Sequence, residues 1–224
     1  MDPLERGRLR VVVATIVLDV VAVALFTLLP WSDWRTGVTL NLVGNAMLLG
    51  FIWRTGDKLL PRFMLYGLVA GLVELAADAW LVGVTRTLDY SVGGGPMLWK
   101  SPLWMPLAWE VVVVQLGYVG LRLWERFGAK GLLAIGVMGA INIPYYEEMA
   151  RHIHWWTYSG CRMIAHTPWY IILGEFGIAI GLAVLAKPLR TGNARTAILA
   201  GIAGGAAIFL CYALAFLAID GWPR

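Results

Sequence analysis

The chain has 224 residues, of which 59% are hydrophobic and only 14% charged, and its mean hydropathy is +0.71. A water-soluble domain of that composition would lack the polar surface to cover itself, so the reading is an all-α, multi-pass integral membrane protein, one domain over 1–224, expected in a bacterial inner membrane. The formal charge of +4 comes without a basic patch interleaved with aromatics, which excludes nucleic acid as a partner; two cysteines make neither a disulfide framework nor a ligand set.

A hydrocarbon core about 30 Å thick takes roughly 20 helical residues to cross. The first apolar run, Val11 to Leu29, is too long for a signal-peptide core and lacks a small-residue cleavage site, so it is expected to be a retained helix. Gly37 to Trp53, Phe63 to Val84, Pro102 to Leu123, Lys130 to Tyr146, Trp169 to Ala186 and Ala194 to Ile219 follow. The second and fifth are the weakest, being short or carrying Asn41, Asn45 and Asn142. Continuous rather than alternating apolar runs favour a bundle of seven transmembrane helices over a barrel.

Orientation comes from Lys and Arg in alternate loops. Twelve fall on one side, three each at the N-terminus (Arg6, Arg8, Arg10) and in the loops holding Arg54, Arg122 and Lys187. The other six are Arg35, Arg86, Lys100, Arg151, Arg162 and Arg224. This pattern places the N-terminus in the cytoplasm and the C-terminus outside. Gly201, Gly204, Gly205 and Ala206 read as a tight helix contact in the last span, and no internal repeat stands out.

The acids are the informative residues once topology is set. Glu74 and Asp78 lie four apart on the third helix and share a face. Glu110 is on the fourth helix, Glu147 and Glu148 close the fifth, and Glu175 lies about two turns into the sixth. With alternating helix directions, all six fall between the midplane and the outer face, together with Asn45 and Asn142. Carboxyl groups facing lipid are costly, so they turn inward, pair or carry a proton, and six at one level point to a common pocket. Buried networks that only fix helix register are the structural alternative.

Ten of the twelve tryptophans map to the same outer half, all but Trp53 and Trp124. An interfacial belt accounts for most of them. Trp80, Trp104 and Trp109 fall deep enough to line a pocket, where aromatic faces hold apolar chains or stabilise a cation.

The stretch from Asn142 to His166 holds all three histidines, the acidic pair Glu147–Glu148 and a helix-breaking Pro144. No cofactor is expected in the leading reading. A divalent metal ion is the alternative: Glu148 and His152, four apart, would face one ion on a continuing helix, with His154 or His166 as a further ligand. Histidines that only hydrogen-bond at the interface are the bland counterpart. Other membrane chemistries are disfavoured. The last span has no lysine for a retinal Schiff base and no histidines for a zinc hydrolase, aspartate-rich metal–diphosphate motifs are absent, and Gly93-Gly94-Gly95 is a turn rather than a phosphate cradle.

Two patches resemble known families. Thr87-Leu-Asp-Tyr90, Gly95-Pro-Met-Leu and Ser101-Pro-Leu-Trp-Met-Pro-Leu-Ala-Trp109 resemble the region of bacterioruberin-type carotenoid hydratases in which a polar aromatic loop precedes a helix start of the form VPLxxPLAW. Ile143-Pro-Tyr-Tyr-Glu147-Glu148 is similar to the Pro-x-Glu-Glu segment of small membrane lycopene cyclases. The resemblance implies acid-catalysed protonation of an isoprenoid double bond inside the membrane. That chemistry needs a positioned Brønsted acid and a dry aromatic cavity, which agrees with the pocket read from the acids. The expected proton donor is Glu147 or Glu148, with Glu74, Asp78 and Glu110 as its partners. Trp109 and Tyr145 are candidate cation stabilisers, and Trp80, Trp104, Glu175, Asn45 and Asn142 complete the binding set. The expected partners are a lipid or isoprenoid and the bilayer. A proton-coupled carrier or lipid-binding protein is the rival class, and a metal-dependent lipid enzyme with a Glu/His site is a third.

Overall fold

The structure, a computed structural model, describes residues 2–223; Arg224, counted above among the outer basic residues, lies outside them. Among the described residues the chain forms seven α-helices. They are α1 (Pro3–Phe26), α2 (Trp34–Thr55), α3 (Leu60–Trp80), α4 (Met105–Phe127), α5 (Ala129–His152), α6 (Trp169–Leu185) and α7 (Ala194–Ile219). Six of them are long and apolar enough to cross a membrane, and the fold is an all-α membrane bundle. α5 has the length but falls outside that group, because Asn142, Glu147, Glu148 and its basic ends dilute its apolar run.

Local chemistry sets the helix ends. Asp33 caps α2 by accepting the Arg35 amide at 2.8 Å, and Gly56 closes that helix in the left-handed region at φ 65°. Asp57 then starts α3, accepting the amides of Leu59 and Leu60 at 2.9 and 2.7 Å while pairing with Arg8 of α1. Asn193 and Thr196 form a reciprocal cap on α7. Pro144 sits inside α5 and removes one backbone donor from its hydrogen-bond ladder.

α3 is the central helix, held closely on both sides. A Cβ at Gly67 would stand 2.5 Å from the Glu110 carbonyl, and one at Gly71 2.6 Å from that of Pro106, so α3 and α4 meet backbone to backbone. On the other side, α7 presents Gly201 and Gly205 to Val69 and Val73, where added Cβ atoms would stand 2.5 Å from the valine Cβ atoms.

The connections after α3 and α5 are built alike, which the sequence does not advertise. α3 runs on through a π-helical turn, Leu81–Thr85, before strand β1 (Leu88–Asp89) and the hairpin β2 (Met97–Leu98) and β3 (Ser101–Pro102). α5 is followed by β4 (Thr157–Tyr158) and the hairpin β5 (Met163–Ile164) and β6 (Thr167–Pro168). The hairpin registers match, Met97 opposite Pro102 and Met163 opposite Pro168. Backbone strain matches too. Among the described residues, the four non-glycine positions with positive φ are Arg86 (56°) and His154 (63°), one after each helix, and Trp99 (60°) and Ala165 (51°), one at each hairpin tip. Such conformations persist only where the surroundings hold them, so their pairing marks two copies of one helix–hairpin–helix unit. β1 and β4 pair antiparallel, Leu88 opposite Tyr158 and Asp89 opposite Thr157. Matching strands joined in this way are what an approximate two-fold between the copies produces.

Candidate functional site

The two units enclose a cavity of about 230 Å³. Each contributes an acid from its first helix and a tyrosine from its connection. In the first unit Tyr90 donates its hydroxyl to Asp78 Oδ2 at 2.7 Å, and Ser101 donates to the same oxygen. In the second, Trp156 donates its indole N–H to Glu147 Oε2 at 2.5 Å and Tyr158 its hydroxyl to Oε1 at 3.3 Å. Burial, reinforced by the neighbouring acid, pushes the phenols of Tyr90 and Tyr158 well above the ordinary tyrosine value, so both remain hydroxyl donors.

Two further carboxyl groups complete the ring. Glu175 of α6 accepts from Tyr212 of α7 at 2.5 Å. Glu74, one turn before Asp78 on α3, lines the same cavity, and its Oε2 is buried without a partner. Asp78 accepts from Tyr90 and Ser101 at one oxygen, so of these two acids it is Glu74 whose buried oxygen lacks a donor. Among the described residues no Lys, Arg or His lines the cavity, and the hydrogen bonds described to its acids come from neutral groups. Trp104, Trp109, Trp156, Tyr146 and Tyr212 supply aromatic wall.

A tryptophan cluster roofs the cavity at the hairpin end. Trp104 and Trp155 lie 5.4 Å apart between centroids, and Trp155 and Trp156 5.9 Å. Their indoles are committed: Trp104 to the Gly94 carbonyl at 3.1 Å and Trp155 to that of Asp33 at 2.9 Å. These buried rings are packing elements as much as interfacial ones.

Of the six carboxyl groups expected in one pocket, the structure brings Glu74, Asp78, Glu147 and Glu175 together and leaves two apart. Glu110 is buried, with its backbone pressed against Gly67, and lies off the cavity. Glu148 points away from Glu147, since consecutive helical residues diverge by about 100°. It meets Arg151 at 3.0 Å, His166 at 2.6 Å and His152 at 3.3 Å. Trp109, Trp104 and Asn142 line the cavity; Trp80, Tyr145 and Asn45 do not. Trp80 packs on Phe209 and Phe216, Tyr145 donates to the Val20 carbonyl at 2.6 Å, and Asn45 donates to the Asn41 carbonyl at 3.0 Å.

For the metal alternative, Glu148 and His152 do meet, but Arg151 shares the same carboxylate, and His154 is exposed on left-handed backbone beyond α5. Among the described residues no group of three His, Cys, Asp or Glu is arranged to hold a metal ion. Sequence reasoning did not place Tyr90, Trp156, Tyr158, Tyr212, Asp19 or Gln115 in the site. Of these, Asp19 stands out in the sequence as an acid in the middle of an apolar helix.

The fold and site define a class: an all-α membrane bundle with a buried, acid-rich aromatic cavity between two similar helix–hairpin–helix units. Residues 75–219 match the family described as Domain of unknown function (DUF6989), and the chain belongs to that family. The matched segment runs from the end of α3 to the end of α7 and contains both hairpins, Asp78, Glu147 and Glu175. No curated protein and no solved structure matches the chain.

Proposed function

We propose that this protein is a membrane-embedded enzyme that protonates a carbon–carbon double bond of an isoprenoid or similar unsaturated lipid, acting as a cyclase or hydratase. The observation that carries the reading is the pair Glu74 and Asp78, four apart on one helix and buried together in the wall of an aromatic cavity free of basic side chains among the described residues. Glu74 bears the proton, and Asp78, held by Tyr90 and Ser101, fixes its position. The expected donor therefore moves from the Glu147–Glu148 pair to Glu74.

In the first step the alkene π pair takes the Glu74 proton to form a C–H bond, leaving a carbocation on the substrate and one further negative charge on the Glu74–Asp78 pair. Trp109 and the neighbouring rings face that cation, and the carboxyl oxygens of Glu147 and Glu175 line the same cavity. A second double bond then closes a ring with its π pair and the resulting cation loses a neighbouring proton to the Glu74–Asp78 pair, or water adds and returns its extra proton to the same pair, giving an alcohol; either way the acid is restored.

In this reading α5 is the remaining span of a seven-helix topology with the N-terminus cytoplasmic and the C-terminus outside, supported by the distribution of Lys and Arg. The hairpins and tryptophan roof then face the exterior, and the acids sit beneath it. A carrier would require polar access from both faces, whereas the exposed residues of the cavity wall, Val20, Met138 and Asn142, all lie on the lipid flank of two helices.

The test is expression in cells that make lycopene and other isoprenoids, with analysis of extracted lipids. A new cyclic or hydrated product that disappears with Glu74→Gln is expected. Unchanged lipid profiles in membranes holding folded protein would overturn the proposal.

A further inference from the structure

We propose that the cavity is filled sideways from the bilayer, through a slot between α1 and α5, by an apolar molecule ending in a hydroxyl group, and that Asp19 and Gln115 hold that hydroxyl. The proposal rests on the lipid-modifying reading above and adds its route of entry and the polar feature of its substrate.

The slot follows from which wall residues are uncovered. Most of the cavity wall is buried or half-buried; the exposed positions are Val20 of α1, at 39%, and Met138, at 48%, and Asn142 of α5. These two helices touch lightly, and the Tyr145 hydroxyl on the Val20 carbonyl ties them together about one turn along α5 from Asn142. The opening is thus bounded by the Tyr145–Val20 strut, the apolar side chains of Val20 and Met138, and the amide of Asn142. It meets the part of the bundle surface that faces lipid, so a water-borne substrate would have no direct path to it.

The chemistry at the slot is selective. Gln115 of α4 reaches across to donate its amide nitrogen to Asp19 Oδ2 at 2.6 Å and to Thr15 Oγ1 at 3.2 Å. Thr15 in turn spends its hydroxyl proton on the Val12 carbonyl at 2.8 Å. With those donors committed, the pair offers a ligand only oxygen: the second carboxyl oxygen of Asp19 and the amide oxygen of Gln115. Such a surface recognises a hydrogen-bond donor, and in an uncharged lipid that donor is a hydroxyl. An acid held toward lipid at mid-helix is costly to keep, and a ligand contact gives it a use that packing alone does not. The same cavity wall carries the aliphatic side chains of Ile16, Ala108, Val112, Leu116 and Ile143, matching a hydrocarbon body.

Binding without turnover tests this. The full chain in lipid nanodiscs is titrated with three radiolabelled probes of about twenty carbons: an isoprenoid alcohol, its methyl ether, and the parent hydrocarbon. The alcohol should bind at least about tenfold more tightly than the ether, the difference expected for a hydrogen bond to a charged acceptor. Asp19→Leu should erase that preference while leaving hydrocarbon binding intact. Asn142→Trp at the slot should slow association of all three probes without altering the alcohol's preference at equilibrium. Equal affinities for alcohol and ether, or a preference that survives Asp19→Leu, would overturn the hydroxyl subsite; an unchanged association rate in Asn142→Trp would overturn the slot. Retained secondary structure and monodispersity of each variant exclude misfolding as the cause. A protein that binds the alcohol as described but alters no lipid keeps this inference and sinks the enzymatic one.

Discussion

Tyr90 and Tyr158 are counterparts: each donates its hydroxyl to the carboxyl group carried by the helix before it, Tyr90 to Asp78 at 2.7 Å and Tyr158 to Glu147 at 3.3 Å. Burial keeps both phenols protonated, so neither can trade its role as donor for that of acceptor. The two bonds differ in strength, since 3.3 Å lies at the long limit for a hydroxyl donor.

Tyr158→Phe removes the donor described for Glu147 Oε1, and a buried carboxyl oxygen left without a donor costs about 1–3 kcal/mol, whereas Tyr90→Phe leaves Asp78 Oδ2 its bond from Ser101. Each variant should lower the thermal midpoint in detergent, and adding Ser101→Ala to Tyr90→Phe should lower it further. Unchanged midpoints in both single variants would contradict the geometry.

Among the acids, Glu74→Gln should reduce product formation by roughly 10²- to 10⁴-fold, the usual worth of a positioned proton donor, while Glu148→Gln should leave it near the wild-type level. Lipid extracts from cells expressing each variant at matched membrane levels report both. A collapse of activity in Glu148→Gln would place the chemistry at the surface cluster instead.

Close helix contact around α3 gives a stability prediction with an internal control. Gly71→Ala puts a methyl group against the Pro106 carbonyl, and the overpacking should cost about 1–3 kcal/mol. Gly50→Ala, on α2 with nothing within 4 Å of its added Cβ, should be neutral or slightly stabilising, as alanine for glycine is in a helix. Thermal midpoints of the two variants, measured in one detergent, decide it.

The Glu148 cluster makes the second hairpin sensitive to acid. Hydrogen bonding from Arg151, helped by His166, holds the Glu148 carboxyl below the ordinary carboxylate value. A depressed folded-state value means that the stabilisation is complete above the ordinary range and is lost as pH falls through the lower folded value. Because His166 belongs to the β5–β6 hairpin, amide exchange over 163–168 should rise on acidification below the ordinary carboxylate range. Glu148→Gln should raise exchange at neutral pH and flatten the dependence.

The helices were legible in the sequence because hydropathy and length decide them. The expected span Ala194 to Ile219 is α7 to the residue, and Trp169 to Ala186 differs from α6 by one. The two-residue strands were not legible, since Met97–Leu98 and Met163–Ile164 carry no alternation and owe their pairing to tip residues strained by their surroundings. Proximity of acids along the chain also misled. Glu147 and Glu148 are neighbours in sequence but face the cavity and the surface respectively, a division that helical geometry predicts even before coordinates. Asp19 was visible as an oddity, yet nothing in α1 tells which partner helix it will meet; Gln115, 96 residues away, answers that only in three dimensions.

Use of one helix–hairpin–helix arrangement twice gives the chain two of several parts: two acids with attendant phenols, two tips on left-handed backbone, two short strands that close on one another. The two are not interchangeable. A serine and a phenol hold the acid on one side, an indole and a phenol hold it on the other, so any molecule lodged between them meets two unlike ends and has only one way to face.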